Sequence, residues 1–300
     1  MDSGHGRVSR LASHNRTRPC PTRGGAFGQS RTAPGISRVS GTPNLEENSM
    51  NTLNKLLLAC IPFIGLAACS GGDTQDRLDL ADPAVRFVHA AQLAPAVTLY
   101  RGESAQSDVT NVRYPFASNY FDVSTENSSW TLKNTATLAV LGTVELNPSR
   151  GNKYTFVAVP DAAAGASMVM FSDPYNKSLS SDKARVRVLN ASPAAASIDV
   201  YLSAPGTDIS AASVTPTISA TTYKNVGPAS GNDSVEVSAG TYRTTVTLAG
   251  TKTVLLTGQL VLANNKDVLM ITVPNPQSVG ATKALVKIEG TAGVTELPAN

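Results

Sequence analysis

Lys183-Ala184-Arg185-Val186-Arg187-Val188 alternates basic with small or apolar residues at a strict period of two. Successive side chains of a β-strand point to opposite faces, so the run reads as a strand with one dry face. An earlier stretch matches it. Val85-Arg86-Phe87-Val88-His89-Ala90-Ala91 aligns without a gap to Val186-Arg187-Val188-Leu189-Asn190-Ala191-Ser192, and Val97-Thr98-Leu99-Tyr100 to Ile198-Asp199-Val200-Tyr201. Over the 16 positions 85–100 and 186–201 five are identical, and most of the other apolar ones exchange among Val, Ile, Leu and Phe. Each copy also closes alike, Gly142 to Val159-Pro160 resembling Gly258 to Val273-Pro274. The chain contains a duplicated domain.

Working outward, the rest of each copy also reads as strand. Tyr242, Thr244, Val246 and Leu248 alternate with Arg243, Thr245 and Thr247, while Tyr154–Val159 and Val268–Val273 are short apolar runs suited to central strands. Gly, Pro, Asn and Asp punctuate them about every ten residues, the spacing of an all-β sandwich. The repeats are placed at 83–177 and 178–292, with a tail at 293–300. Lys283-Ala284-Leu285-Val286-Lys287-Ile288 repeats the opening strand a third time without room for a third domain. It is expected to complete repeat 2, with the strand near Val186 lying against repeat 1 in a stiff junction.

Upstream lies a targeting signal. Lys55 precedes the apolar run from Leu56 to Gly65, and Leu66-Ala67-Ala68-Cys69 follows. A basic start, a short apolar middle and small residues before the cut make a secretory signal. Ending in cysteine, it resembles a bacterial lipoprotein signal, in which that cysteine is acylated and becomes the new N-terminus. Acyl chains contribute about 0.8 kcal/mol per buried CH₂, so two or more anchor a protein stably. The expected layout is a signal at 50–68 and a lipidated tether at 69–82. Residues 70–82 span at most ~45 Å at about 3.3–3.6 Å each, which keeps the repeats near the membrane. Residues 1–49 carry seven arginines, no lysine and no apolar period. They read as a disordered extension upstream of a true start at Met50.

Removing 1–68 changes the electrostatics. That segment holds eight of the 25 Lys+Arg and three of the 22 Asp+Glu, leaving 17 and 19, a net −2. The apparent basicity vanishes, and with it the case for nucleic-acid binding. His89 remains as the one histidine and Cys69 as the one cysteine. No disulfide forms within such a chain, and no imidazole-rich metal site assembles.

Arg185-Val186-Arg187-Val188-Leu189-Asn190-Ala191-Ser192-Pro193, followed by Ile198-Asp199-Val200-Tyr201, resembles the opening of a bacterial envelope family, domain of unknown function 4397. The resemblance spans roughly 84 to 290. It implies immunoglobulin-like β-sandwiches in tandem behind a lipoprotein signal, and it brings no agreed activity. In such proteins a His commonly precedes the Ala-Ser pair. His89 keeps it and Asn190 replaces it, so no imidazole role is shared by both repeats.

The search for chemistry finds no nucleophile elbow, zinc-protease helix, P-loop or dinucleotide turn. Ser180-Ser181-Asp182-Lys183 has the Ser-x-x-Lys spacing of some acyl-transfer enzymes but precedes a strand rather than opening a helix. Asp73, Asp76, Asp79 and Asp82 lack the glycine turn and final Glu of a calcium loop. His89, at a strand end beside small residues, is expected to make a structural hydrogen bond. Tyr114, Phe116, Tyr120, Phe121 and Trp130 are either repeat 1 core or a ligand-contact platform. The expectation is a lipid-anchored envelope protein, in the outer membrane if the cell has one. It would act as a non-catalytic binding or structural module without cofactor, metal or catalytic residue, meeting a protein or glycan partner of the envelope. The alternatives are a surface adhesin or carbohydrate-binding lipoprotein, and an envelope-polymer hydrolase needing carboxylates such as Asp122 and Glu126.

Overall fold

β-Branched and aromatic residues at period two give repeat 1 its strands, which glycine, proline and asparagine separate. They are β1 (Ala84–His89), β2 (Val97–Arg101), β3 (Ser104–Ala105), β4 (Phe116–Ala117), β5 (Phe121–Asp122), β6 (Ser128–Asn134), β7 (Val140–Leu146), β8 (Asn152–Asp161) and β9 (Gly165–Pro174). Repeat 2 follows with β10 (Lys183–Asn190), β11 (Ser197–Ser203), β12 (Ile218–Thr222), β13 (Val226–Gly227), β14 (Val235–Ser238), β15 (Gly240–Leu248), β16 (Val254–Leu262), β17 (Asp267–Pro274), β18 (Thr282–Ile288) and β19 (Thr295–Glu296). This computed structural model describes residues 81–162, 165–174, 181–277 and 282–297. The tether up to 80, the signal, the upstream extension and the junction at 177–178 lie outside them.

The described fold is all-β, built from two-sheet sandwiches. In repeat 1, β1 lies between β4 and β8 with β9 beyond, and β5 also pairs with β1; the second sheet runs β3-β2-β6-β7. Repeat 2 reproduces the plan, with β13 and β14 on β10, then β17, β18 and β19, against β12-β11-β15-β16. β1 runs parallel to β8 and β10 parallel to β17, with Phe87 opposite Phe156 and Val188 opposite Met270. The first two strands of each repeat sit in opposite sheets, so the loop after His89 or Asn190 must cross the sandwich.

The arginine face of Lys183–Val188 departs from expectation. Both faces of β10 are dry, because the sheets containing β1 and β10 pack on each other. Four sheets therefore stack with three apolar layers between them. Val85, Phe87, Trp130 and Phe156 fill repeat 1, and Val186, Val188, Ile198 and Met270 fill repeat 2. Val88, Val157, Val159, Phe171, Leu189, Leu269, Ile271 and Leu285 fill the seam between the repeats. The described residues accordingly form one compact unit.

Lys283–Ile288 completes the inner sheet of repeat 2 by pairing with β17, Ile271 opposite Leu285. Its counterpart by position is β9, so the likeness to the opening strand reflects a shared burial pattern rather than a third copy. The stretch from 293, expected as a tail, adds β19 to the edge of β18 and buries Leu297 in the repeat 2 core. Leucine in that segment was the cue to continued packing.

Candidate functional site

Arg86, Lys153, Arg185, Arg187 and Lys287 all project into the seam and are 2–6 % exposed. Burying unpaired charges costs several kcal/mol each, so such groups persist only with partners. Among the described residues, these ion pairs cross from one repeat to the other. Lys153 Nζ lies 2.8 Å from Glu289 Oε1, Arg187 Nη2 is 3.2 Å from Asp173 Oδ1, and Lys224 Nζ is 2.7 Å from Asp161 Oδ2. Neutral bonds follow the same boundary. Tyr223 Oη donates to the Pro160 carbonyl, Gln92 Nε2 to that of Pro274 at 2.6 Å, and the Ser172 amide to Ser230 Oγ at 2.9 Å.

The seam is left open in more than one place, between Phe171 and Leu189 and again beside Arg86. Arg86, Asn119, Tyr120, Lys287, Glu289 and Gly290 line a cavity of about 140 Å³. β1 supplies Arg86, the short connection from β4 to β5 supplies Asn119 and Tyr120, and the end of β18 supplies Lys287 and Glu289. Arg86 Nε donates to Thr155 Oγ1 at 2.9 Å, and its guanidinium carbon sits 4.7 Å from the Tyr120 ring centroid. Its two terminal NH₂ groups have no hydrogen-bond acceptor among the described residues. Lys287 Nζ donates to the Thr291 carbonyl, leaving two of its three N–H groups over. Tyr120 Oη is 3.3 Å from Thr155 Oγ1, and Lys153 Nζ is 5.2 Å from the same ring.

The cavity's electrostatics follow from burial and from these neighbours. Burial pushes the Tyr120 hydroxyl up to about 12 although the charge of Arg86 pulls the other way, so it stays protonated. Burial also lowers the Lys287 ammonium, and Arg86 lowers it further. The Glu289 carboxyl is raised by burial, but Lys153, through its charge and hydrogen bond, and Arg86 outweigh that and hold it below its ordinary value. The arrangement presents N–H and O–H donors and positive charge inside a small half-open pocket.

Cys69, the expected lipid site, lies outside the described residues, as does Ser180. The five aromatics are not brought to one surface. Trp130 is fully buried and stacks on Phe156 at 5.0 Å, while Phe116 and Phe121 pack on the same core. Tyr114 packs on the seam instead, and Tyr120 lines the cavity. Asp122 and Glu126 are both exposed. His89 makes the structural hydrogen bond expected of it, with Nε2 3.3 Å from the Pro95 carbonyl, and burial lowers its pKa despite that bond. Asn190 does the matching work in repeat 2, donating to the Ala195 carbonyl at 2.8 Å. Among the described residues no group of three His, Cys, Asp or Glu side chains could hold a metal ion.

Sequence reasoning missed Arg86, Lys153, Lys287 and Glu289. One signal was present, since Arg86 and Arg187 occupy the same aligned position in the opening strand of each repeat.

Comparison with known proteins agrees with part of the resemblance. No curated protein matches the chain. Among solved structures, the carbohydrate-binding module CBMbc (family CBM26) of Eubacterium rectale Amy13K, crystallised with maltoheptaose, aligns at 12 % identity with a TM-score of 0.20. That alignment covers 72 % of this chain and 97 % of the module. Residues 83–201, which hold repeat 1 and the opening of repeat 2, match the family described as Domain of unknown function (DUF4397).

Proposed function

We propose that this chain is a lipid-anchored bacterial cell-envelope protein working as a non-catalytic binding or structural module. The observation that supports the module is the seam. Two sandwiches share a buried apolar layer crossed by ion pairs, so whatever one repeat contacts is held in fixed relation to the other. The anchor rests on the sequence Leu66-Ala67-Ala68-Cys69.

The test is fractionation of cells expressing the wild type or Cys69→Ala, followed by protease treatment of intact cells. The wild type is expected in the membrane fraction and the variant in the soluble fraction. A variant that stays membrane-bound overturns the anchor. Cleavage of the wild type on intact cells marks a surface protein of the adhesin kind. Resistance until the envelope is permeabilised marks a module facing the periplasm.

A further inference from the structure

We propose that the cavity between Arg86 and Lys287 binds a small oxyanion, the phosphate or carboxylate group of a larger molecule or a free ion. This deepens the reading of the chain as a binding module and rests on it. Arg86 is 5 % exposed and Lys287 2 %, yet both keep N–H groups without acceptors where they line the cavity. The spare N–H groups reach the cavity rather than being sealed in the seam, so an acceptor entering it meets donors that the protein leaves over.

Arg187 holds the position equivalent to Arg86, and its terminal nitrogens are saturated. Nη1 donates to the carbonyls of Pro228 and Ala229, and Nη2 to that of Asn232 and to Asp173. Those carbonyls come from the connection between β13 and β14, residues 228–234. The corresponding connection in repeat 1 is only Ser118-Asn119-Tyr120. It is too short to fold over Arg86, and the cavity is the space that the longer connection fills in repeat 2. One repeat closes its arginine with its own backbone, and the other leaves it open.

Of the charged residues that line the cavity, Arg86 and Lys287 are cations and Glu289 is an anion, an excess of one positive charge. A guanidinium offers paired parallel N–H groups that match a carboxylate or phosphate. The volume of about 140 Å³ exceeds the few tens of Å³ one water needs but falls well under the ~300–1,000 Å³ of drug-sized ligand pockets. It admits one anionic group and no oligosaccharide.

The test is calorimetric titration of the full chain, extracted in detergent, with inorganic phosphate and separately with acetate. Chloride holds the ionic strength constant. One saturable site per chain and a raised Tm are expected. Asn119→Asp sets a carboxylate at the exposed mouth without touching the core, and it is expected to weaken binding at least tenfold. Arg86→Lys keeps the charge, removes the fork and is expected to do the same. A wild type silent to both anions, or equal affinity in both variants, overturns the proposal.

A vesicle arm separates the sources. Soluble Cys69→Ala protein that sediments with phosphatidylglycerol vesicles, but not with pure phosphatidylcholine, takes a lipid phosphate. Phosphate binding without sedimentation assigns a free or glycan-borne anion. The anchor fails separately: a silent cavity in a protein that Cys69→Ala still releases sinks the site alone.

Discussion

At the scale of the residue, the seam depends on charges that can be neither solvated nor left single. Lys153 and Glu289 come from different repeats, and their side chains are only 7 % and 22 % exposed. Lys153→Met strands the carboxylate beside Arg86 and Lys287. Breaking one partner of a buried pair typically costs 3–5 kcal/mol, and Arg86 holds the loss to about 3 kcal/mol. The double variant Lys153→Met/Glu289→Leu is expected to recover only part of it, since Arg86 and Lys287 then lose the carboxylate that faces them. The pH dependence has a definite sign. Glu289 titrates below its ordinary 4.5 in the folded chain, so the unfolded chain takes up the proton first as pH falls. The pair's contribution is complete above that value and is lost as pH drops through the folded pKa. Urea unfolding of the three proteins at pH 7 and pH 3 checks this: the gap between wild type and Lys153→Met should narrow in acid. A constant gap would remove the ion pair from the account.

At the scale of the element, close approach explains why certain strands carry glycine. A Cβ on Gly142 in β7 would lie 2.8 Å from Met168 Cβ and 2.9 Å from its backbone nitrogen in β9. The two sheets of repeat 1 meet there, backbone against backbone, and only a residue without a side chain lets the sandwich edge close. Gly142→Ala is expected to destabilise by roughly 1–3 kcal/mol through forced backbone displacement. Its signature is a lowered denaturant midpoint with an unchanged slope, and an unshifted midpoint would mean that β9 yields freely. The same elements show what could be read from the chain alone. Tyr154–Val159 and Val268–Val273 were legible as strands because apolar runs bounded by turn residues have few alternatives. Arg185 and Arg187 were misread as a wet face because alternation says which residues share a side, not what covers it. The cavity was illegible for a related reason. It arises from a difference in length between two connections that only the sheet register aligns, Val85 with Phe121 and Val186 with Val235. Trp130 and Phe116 gave no sequence cue to separate a core from a platform.

At the scale of the whole molecule, the seam ties the stability of one repeat to the folding of the other. Were repeat 2 to unfold alone, Val88, Val157, Val159 and Phe171 would lose their cover. At about 1.5–3 kcal/mol per large apolar side chain, that exposure costs repeat 1 about 6–12 kcal/mol. A domain's whole stability is commonly about 5–15 kcal/mol, so half-folded molecules should be scarce. The chain carries its own reporter, because Trp130 is the single tryptophan and sits in the repeat 1 core. Ile198, fully buried in the repeat 2 core, belongs to the outer sheet on the far side of the stack. Ile198→Ala should cost about 2–5 kcal/mol where it stands. If the seam couples the repeats, the midpoint seen by Trp130 fluorescence falls by the same amount as the midpoint of the far-ultraviolet dichroism, although no atom near the tryptophan has changed. If Trp130 keeps its wild-type midpoint while the dichroism splits into two steps, the repeats fold independently. The buried ion pairs would then orient two separate domains without joining their stability, and a partner could part the seam without unfolding either one.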